Sequence, residues 1–220
     1  MLRSVPPAPL LDVVIPTRDH AATLPALLAN LPRRAIRSIV VVDRASTDRS
    51  AEIARDAGAL VLREPSGGYG AACLRAQAHF SSLPRVPDAI AFLPGDRPAA
   101  AGAIATLVTP IAERAVELVL GAEDGRRDMG DKVVTGLIDA VYRHRWSGVG
   151  PVRAIRFPAL IALGMSDRGD GWDVEMLVRA VKLGLSCDEI AVPPEPIAPH
   201  PSKKSLGRAL LHILRHATMR

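Results

Sequence analysis

Short unbroken apolar runs alternate along this chain with longer stretches whose apolar residues recur every three or four positions. Residues 11–16, 38–43, 59–62, 89–93, 116–121 and 187–192 are runs of the first kind, the lengths of buried strands. Residues 21–31, 51–57, 71–80, 103–115 and 172–183 carry the helical period. Pro32, Gly58 and Gly184 follow three of these as stop signals, and Thr47, Asp48 and Ser50 offer caps before another. Residues 124–146 turn helical and polar, and 151–163 read as a short strand running into a helix. Strand alternating with helix predicts an α/β fold, a mostly parallel sheet with helices on both faces. On such sheets ligands bind beyond the carboxyl ends of the strands. Asp19, Asp43, the glycine-rich loop 66–70 and Asp96 all fall at those ends.

Composition narrows the class. The chain has 220 residues, 48% hydrophobic and 23% charged, which suits a soluble domain with an ample core. We expect one domain over 1–202 and a separate element over 203–220. No run approaches the ~18 apolar residues of a membrane span, and 1–11 does not read as a signal peptide. A cytoplasmic protein is expected. The net charge of +5 favours an anionic partner such as a nucleotide, a lipid phosphate or a membrane surface. Nucleic acid is disfavoured, because 3% aromatic residues provide little stacking platform. Residues 203–220 hold Lys203, Lys204, Arg208, Arg215 and Arg220 without an acid, and Leu206, Leu210, Ile213, Leu214 and Ala217 share one helical face. Such a basic amphipathic helix can lie on an anionic membrane or pack on the domain. Cys73 and Cys187 show neither disulfide nor zinc spacing and are expected as buried thiols.

Several residues can carry chemistry. A carboxylate at a strand tip, Asp19 or Asp43, can accept from a base N–H or simply cap a turn. The Gly67-Gly68-Tyr69-Gly70 loop opens a helix, where backbone N–H groups suit an anion; a tight strand-to-helix turn needs the same glycines. Asp96 ends a strand that needs no charge for packing. Gly171-Trp172-Asp173-Val174-Glu175 sets two acids in one helix's first turn, where the macrodipole also favours them. Trp172 provides a flat surface for a sugar or a lid, and Arg153 and Arg156 a phosphate contact or a solvated face.

The order of the segments is more telling than any one of them. Val13-Val14-Ile15-Pro16-Thr17-Arg18-Asp19, Val41-Val42-Asp43, Gly68-Tyr69-Gly70-Ala71-Ala72 and Phe92-Leu93-Pro94-Gly95-Asp96 come first. Gly150-Pro151-Val152-Arg153, Gly171-Trp172-Asp173-Val174-Glu175 and Ser202-Lys203-Lys204-Ser205 follow. In that order they resemble glycosyltransferase family 2 with the GT-A fold, near the dolichyl-phosphate mannose and glucose synthase group. The resemblance implies inverting transfer of a hexose from a UDP- or GDP-sugar to a lipid phosphate or other membrane-linked acceptor, at the inner face of a membrane. It implies that Pro16, Thr17 and Asp19 line the nucleotide pocket, that Asp43 holds the base, and that Gly68 and Gly70 shape the loop near ribose and diphosphate. Arg153, Trp172, Asp173 and Glu175 would surround donor sugar and acceptor, with Asp173 or Glu175 the general base. Ser202 and Lys203 would close over the diphosphate. Asp96 would belong to a Mg²⁺ or Mn²⁺ site.

The departures cluster around that metal. The family's Asp-x-Asp has Pro94 at its first acid, and proline has no side-chain donor. Pro98, Gly67, His20 and Arg44 also stand where other residues are common. Three readings follow: Asp96 alone holds the ion, Arg97 replaces it as the cation on the diphosphate, or the fold is kept for nucleotide binding or a scaffold role without transfer.

Overall fold

The computed structural model describes residues 10–65, 68–113, 115–123 and 129–195. Ser66, Gly67, Ser202, Lys203 and the 203–220 segment lie outside these. Seven strands form one sheet: β1 (Leu11–Thr17), β2 (Ser38–Asp43), β3 (Leu60–Arg63), β4 (Ala89–Phe92), β5 (Leu118–Glu123), β6 (Arg153–Arg156) and β7 (Cys187–Val192). The connecting helices are α1 (Leu24–Asn30), α2 (Ser50–Asp56), α3 (Tyr69–Ser81), α4 (Ile104–Ala112), α5 (Met129–Tyr142), α6 (Phe157–Leu163) and α7 (Trp172–Leu183).

The sheet order is β3-β2-β1-β4-β6-β5-β7. Every pairing is parallel except those of β6, which runs against both β4 and β5. Alternation along each strand sends side chains to opposite faces. Val14, Val40, Val42, Ile90, Phe92, Leu118 and Ile155 face the layer that holds α3 and α7. Val13, Ile15, Ile39, Val41, Ala91, Val119 and Ala154 face α1 and α4. Both faces are buried, so the strands read as continuous apolar runs.

Most boundaries follow the sequence pattern, with physical reasons where they do not. Pro16 does not stop β1, which continues to Thr17; near the strand end its missing N–H costs little, and its carbonyl accepts from Gly95 N–H at 3.1 Å. The stretch after Asp96 first winds as a 3₁₀ turn, Ala99–Ala103, and only then becomes α4. Gly58, Gly164 and Gly184 end their helices with positive φ of 78°, 60° and 67°. Asp12, buried at the start of β1, forms an ion pair with Arg37 at the sheet edge opposite the strand tips. Among the described residues no helix is long and apolar enough to cross a membrane.

Candidate active site

Strand direction decides which residues meet. β1, β2, β4 and β5 all end on one edge of the sheet. Because β6 runs the other way, its first residue arrives at that same edge: Arg153 is level with Phe92 and with Leu120. Thr17, Asp43, Asp96, Glu123 and Arg153 therefore lie along one border, joined by the opening residues of α3 and α7.

At the β1–β2 end, acids knit two loops together. Asp19 adopts φ 55° and accepts from Thr47 N–H at 2.7 Å and from its hydroxyl at 3.1 Å. The Thr47 N–H bond, against a small opposing effect of desolvation, holds its carboxyl below the usual range. Asp43 is buried and accepts from Ser46 N–H at 3.1 Å. Asp48 accepts from Ala21 N–H at 2.8 Å and Ser50 N–H at 2.9 Å, so it does cap α2, from the position before Arg49. Pro16 and Thr17 are buried beneath these loops. Gly95 is confined here: a Cβ would fall 2.5 Å from His20 Nδ1 and 2.8 Å from Thr17 Oγ1. That His20 nitrogen is buried and finds no partner among the described residues. Burial lowers the imidazole pKa, with the Asp96 charge opposing.

Next along the border, Pro94 to Arg97 form a turn closed by Arg97 N–H to Pro94 O at 3.1 Å. Arg97 reaches across to the tip of β5, where its guanidinium pairs with Glu123, and its Nε lies 3.8 Å from Asp96.

The glycine-rich loop packs against a second loop. Gly70 N–H bonds to Gly169 O at 2.9 Å, and Ala71 N–H to Arg168 O at 3.0 Å. A Cβ on Gly70 would come 2.1 Å from Asp167 O, and one on Gly68 2.7 Å from Gly169 Cα. Gly68 and Gly70 thus allow the 167–169 backbone to approach, and that backbone takes up N–H groups at the start of α3.

The start of α7 separates residues that the sequence could not. Trp172 is fully buried and packs edge-on against Phe92, centroids 6.2 Å apart. In this structure it is a core residue with no exposed ring face. Glu175 is also fully buried, and its oxygens accept from Ser166 N–H, Ser166 Oγ and Asp167 N–H while pairing with Arg179 at 2.9 Å. Burial alone would raise its pKa, but these bonds together hold it below the usual range. Glu175 secures the 166–169 loop and has no lone pair directed at the strand border.

Asp173 is placed differently. It lies 3.0 Å from Arg153, yet Arg153 directs its N–H groups to the carbonyls of Asp173, Val149 and Gly150, so Asp173 Oδ1 receives no aligned hydrogen bond. Burial raises the Asp173 carboxyl to about 6, with Arg153 opposing. Arg153 is itself completely buried and its Nε is unpartnered among the described residues, as is Trp172 Nε1. The Tyr69 hydroxyl, beside the weakly bonding Cys73 thiol, has no hydrogen-bond partner among the described residues, and burial, with the Asp173 charge adding, keeps both groups neutral. So many buried polar atoms lacking good partners in one place is unusual, since burial without a partner costs roughly 1–3 kcal/mol each. A hollow of about 540 Å³ beside α5 competes less well. Its Arg145 is paired with Asp139 at 3.1 Å, and its Glu189 accepts from Ser147 N–H at 2.8 Å.

The family model for glycosyl transferase family 2 matches residues 12–157. The chain belongs to that family. As a family 2 glycosyltransferase it is 31% identical over 188 residues to an uncharacterized glycosyltransferase of Mycobacterium tuberculosis, covering 82% of this chain and 83% of that protein. Glycosyltransferase AglJ of Haloferax volcanii is 22% identical over 182 residues, 79% of this chain and 59% of the other. Among solved structures, glucosyl-3-phosphoglycerate synthase from M. tuberculosis superposes with a TM-score of 0.81 at 18% identity, over 96% of this chain and 80% of that one. The fold is GT-A. That synthase was crystallised with Mn²⁺, UDP and phosphoglyceric acid, and also with Mg²⁺ and UDP.

The donor set of this transferase fits such an ion poorly. A six-coordinate Mg²⁺ or Mn²⁺ is held by one or two carboxylates with water and phosphate oxygens. Here Pro94 offers no donor, Asp96 lies beside a guanidinium, and the nearby Glu123 is bonded to that same guanidinium. Among the described residues no three His, Cys, Asp or Glu side chains converge to hold a metal.

Sequence reasoning did not single out Glu123, Tyr69 or the 166–169 loop. Glu123 was within reach, for it lies just beyond an apolar run, the same signal that marked Asp43. Tyr69 and the loop carried no signal, because their role depends on how α7 docks against α3.

Proposed function

We propose that this glycosyltransferase moves a hexose from a UDP- or GDP-sugar to an acceptor hydroxyl, with inversion, on a membrane-linked or phosphate-bearing molecule. The supporting observation is the cluster of Arg153, Asp173, Tyr69 and Trp172 at the strand border, whose buried, unpartnered polar atoms suit a bound sugar. Hexose hydroxyls supply donors and acceptors of the kind the cluster lacks. Asp43, Thr17 and Asp19 border the side where the nucleotide would lie. A carboxylate poised near 6 is suited to general-base work. The acceptor oxygen attacks the anomeric carbon as the bond to the diphosphate breaks, the proton passes to Asp173, and the nucleoside diphosphate leaves with the electron pair. An acceptor phosphate, the nucleophile implied by the dolichyl-phosphate resemblance, is already ionised and needs no such base. Asp173 therefore favours a hydroxyl nucleophile. The glucosyl-3-phosphoglycerate synthase supports a phosphorylated acceptor only by shared fold.

The test is nucleoside diphosphate release from a panel of UDP- and GDP-hexoses, with the Asp96→Ala variant alongside. One donor should be turned over by the wild type well above background. Background rates with every donor in both proteins would instead favour a non-transferring relative. The basic 203–220 segment would keep the enzyme beside a membrane-linked acceptor. A chain truncated after Pro201 is expected to lose binding to anionic vesicles at low salt, and unchanged binding removes the membrane part of the proposal.

A further inference from the structure

The poor fit of the metal site has a counterpart in fixed positive charge. Arg97 is gripped as an ion would be, with Glu123 bonded to NH1 and the Asp96 carboxylate 3.8 Å from Nε. A guanidinium has five N–H donors. NH2 has no partner among the described residues, and the side chain, 22% exposed, still reaches solvent. Arg44 follows Asp43 at the tip of β2, and its Nε is buried without a partner among the described residues. The Arg44 charge acts both on His20, beside Gly95, and on Cys73, beside Tyr69. The Arg97 charge likewise reaches Asp173. In the sheet order β1 lies between β2 and β4, so Arg44 and Arg97 stand at strand ends on either side of the β1 tip.

We propose that Arg97, fixed by Glu123 and Asp96 and assisted by Arg44, neutralises the diphosphate of the donor, so that this enzyme binds a nucleoside diphosphate without a divalent metal. The inference rests on the glycosyltransferase reading above and specifies how that site handles its leaving group. A planar guanidinium can grip phosphate oxygens in pairs. Held by two acids, Arg97 loses little further freedom when the ligand binds.

Calorimetric titration of the full chain with UDP and with GDP, in excess EDTA and in excess Mn²⁺, tests this directly. The preferred nucleotide should bind in EDTA with an affinity within about threefold of that in Mn²⁺. Arg97→Ala should weaken binding in EDTA by about tenfold or more, the loss of a charge-assisted contact, and Arg97→Lys by less. Because Arg97→Ala also removes the tie to Glu123, its melting temperature is recorded, and Arg44→Gln provides a second charge deletion outside that pair. Its affinity in EDTA should also fall. Binding that requires Mn²⁺ would overturn the inference and leave the transferase reading standing, as would wild-type affinity in both charge deletions. Failure of UDP and GDP to bind under either condition would overturn both.

Discussion

Replacing Asp173 with asparagine should lower sugar transfer by about 10²- to 10⁴-fold, the usual contribution of a positioned general base. Nucleotide affinity should change little, because the base acts on the acceptor proton and not on the diphosphate. The amide keeps the size of the carboxylate and leaves the Arg153 bonds to the Asp173, Val149 and Gly150 carbonyls in place, so the loss would report chemistry and not collapse of the cluster. The pH profile gives the sharper reading. Burial raises Asp173 to about 6 in the folded protein, with Arg153 limiting the rise. The base works only when ionised, so wild-type turnover should fall as pH drops through about 6. The residual activity of the variant should lack that limb. A wild-type rate that stays flat through the mildly acidic range would remove Asp173 from the role, whatever the variant does.

The same raised carboxyl bears on stability with the opposite sign to most acids. A folded-state pKa above the unfolded value means the folded protein holds the proton more tightly. The Asp173 contribution to stability therefore grows as pH falls through about 6 and is lost as pH rises again. At neutral pH the protein keeps a buried carboxylate with an incompletely bonded oxygen, a cost commonly found where activity needs it.

How much of this was legible beforehand depends on what kind of signal each feature leaves. β2, α7 and β7 occupy the ranges read from the pattern, since burial on both faces and helical periodicity are local properties of the chain. The reversed direction of β6 was not legible. An apolar run has no direction, and only the sheet order brings Arg153 level with Phe92. The strand-tip acids Asp19, Asp43 and Asp96 were legible as candidates because charge after an apolar strand is conspicuous. Their partners were not, and it is the partners that decide what each can do. Asp173 and Glu175 are two positions apart on one helical turn, and nothing in the sequence distinguishes them. Glu175 points back to Ser166 and Asp167, while Asp173 points to Arg153, and that difference arises from the helix rotation fixed when Trp172 packs on Phe92. The packing of the glycines on the 167–169 backbone was hidden for a similar reason: a residue without Cβ permits close approach, but the sequence does not say by what.

The largest stability effect is expected at Glu175. Truncation to alanine should cost about 3–5 kcal/mol, the range for removing one partner from a buried charge pair. The loss is greater than that of one ion pair because the carboxylate accepts from both Ser166 N–H and Asp167 N–H. Those N–H groups would lose their carboxylate acceptor. Arg179 softens the effect, since its side chain is 23% exposed and can recover water. The consequence spreads through the backbone, for the same loop presents the Arg168 and Gly169 carbonyls to Ala71 and Gly70 at the start of α3. Denaturant titration at neutral pH should therefore show a lower midpoint for Glu175→Ala, and a smaller shift for Glu175→Gln, which keeps one acceptor oxygen. The pH dependence provides a check that mere loss of packing would not reproduce. Glu175 is held below its usual pKa despite burial, so its contribution is present above the ordinary glutamate range and fades as pH falls through the depressed folded value. The gap between wild type and Glu175→Gln should accordingly narrow in acid. A Glu175→Ala midpoint equal to wild type would mean that the 166–169 loop is held in place by the Gly68 and Gly70 approach alone, and the tie between α7 and α3 would then have to be sought in the glycines.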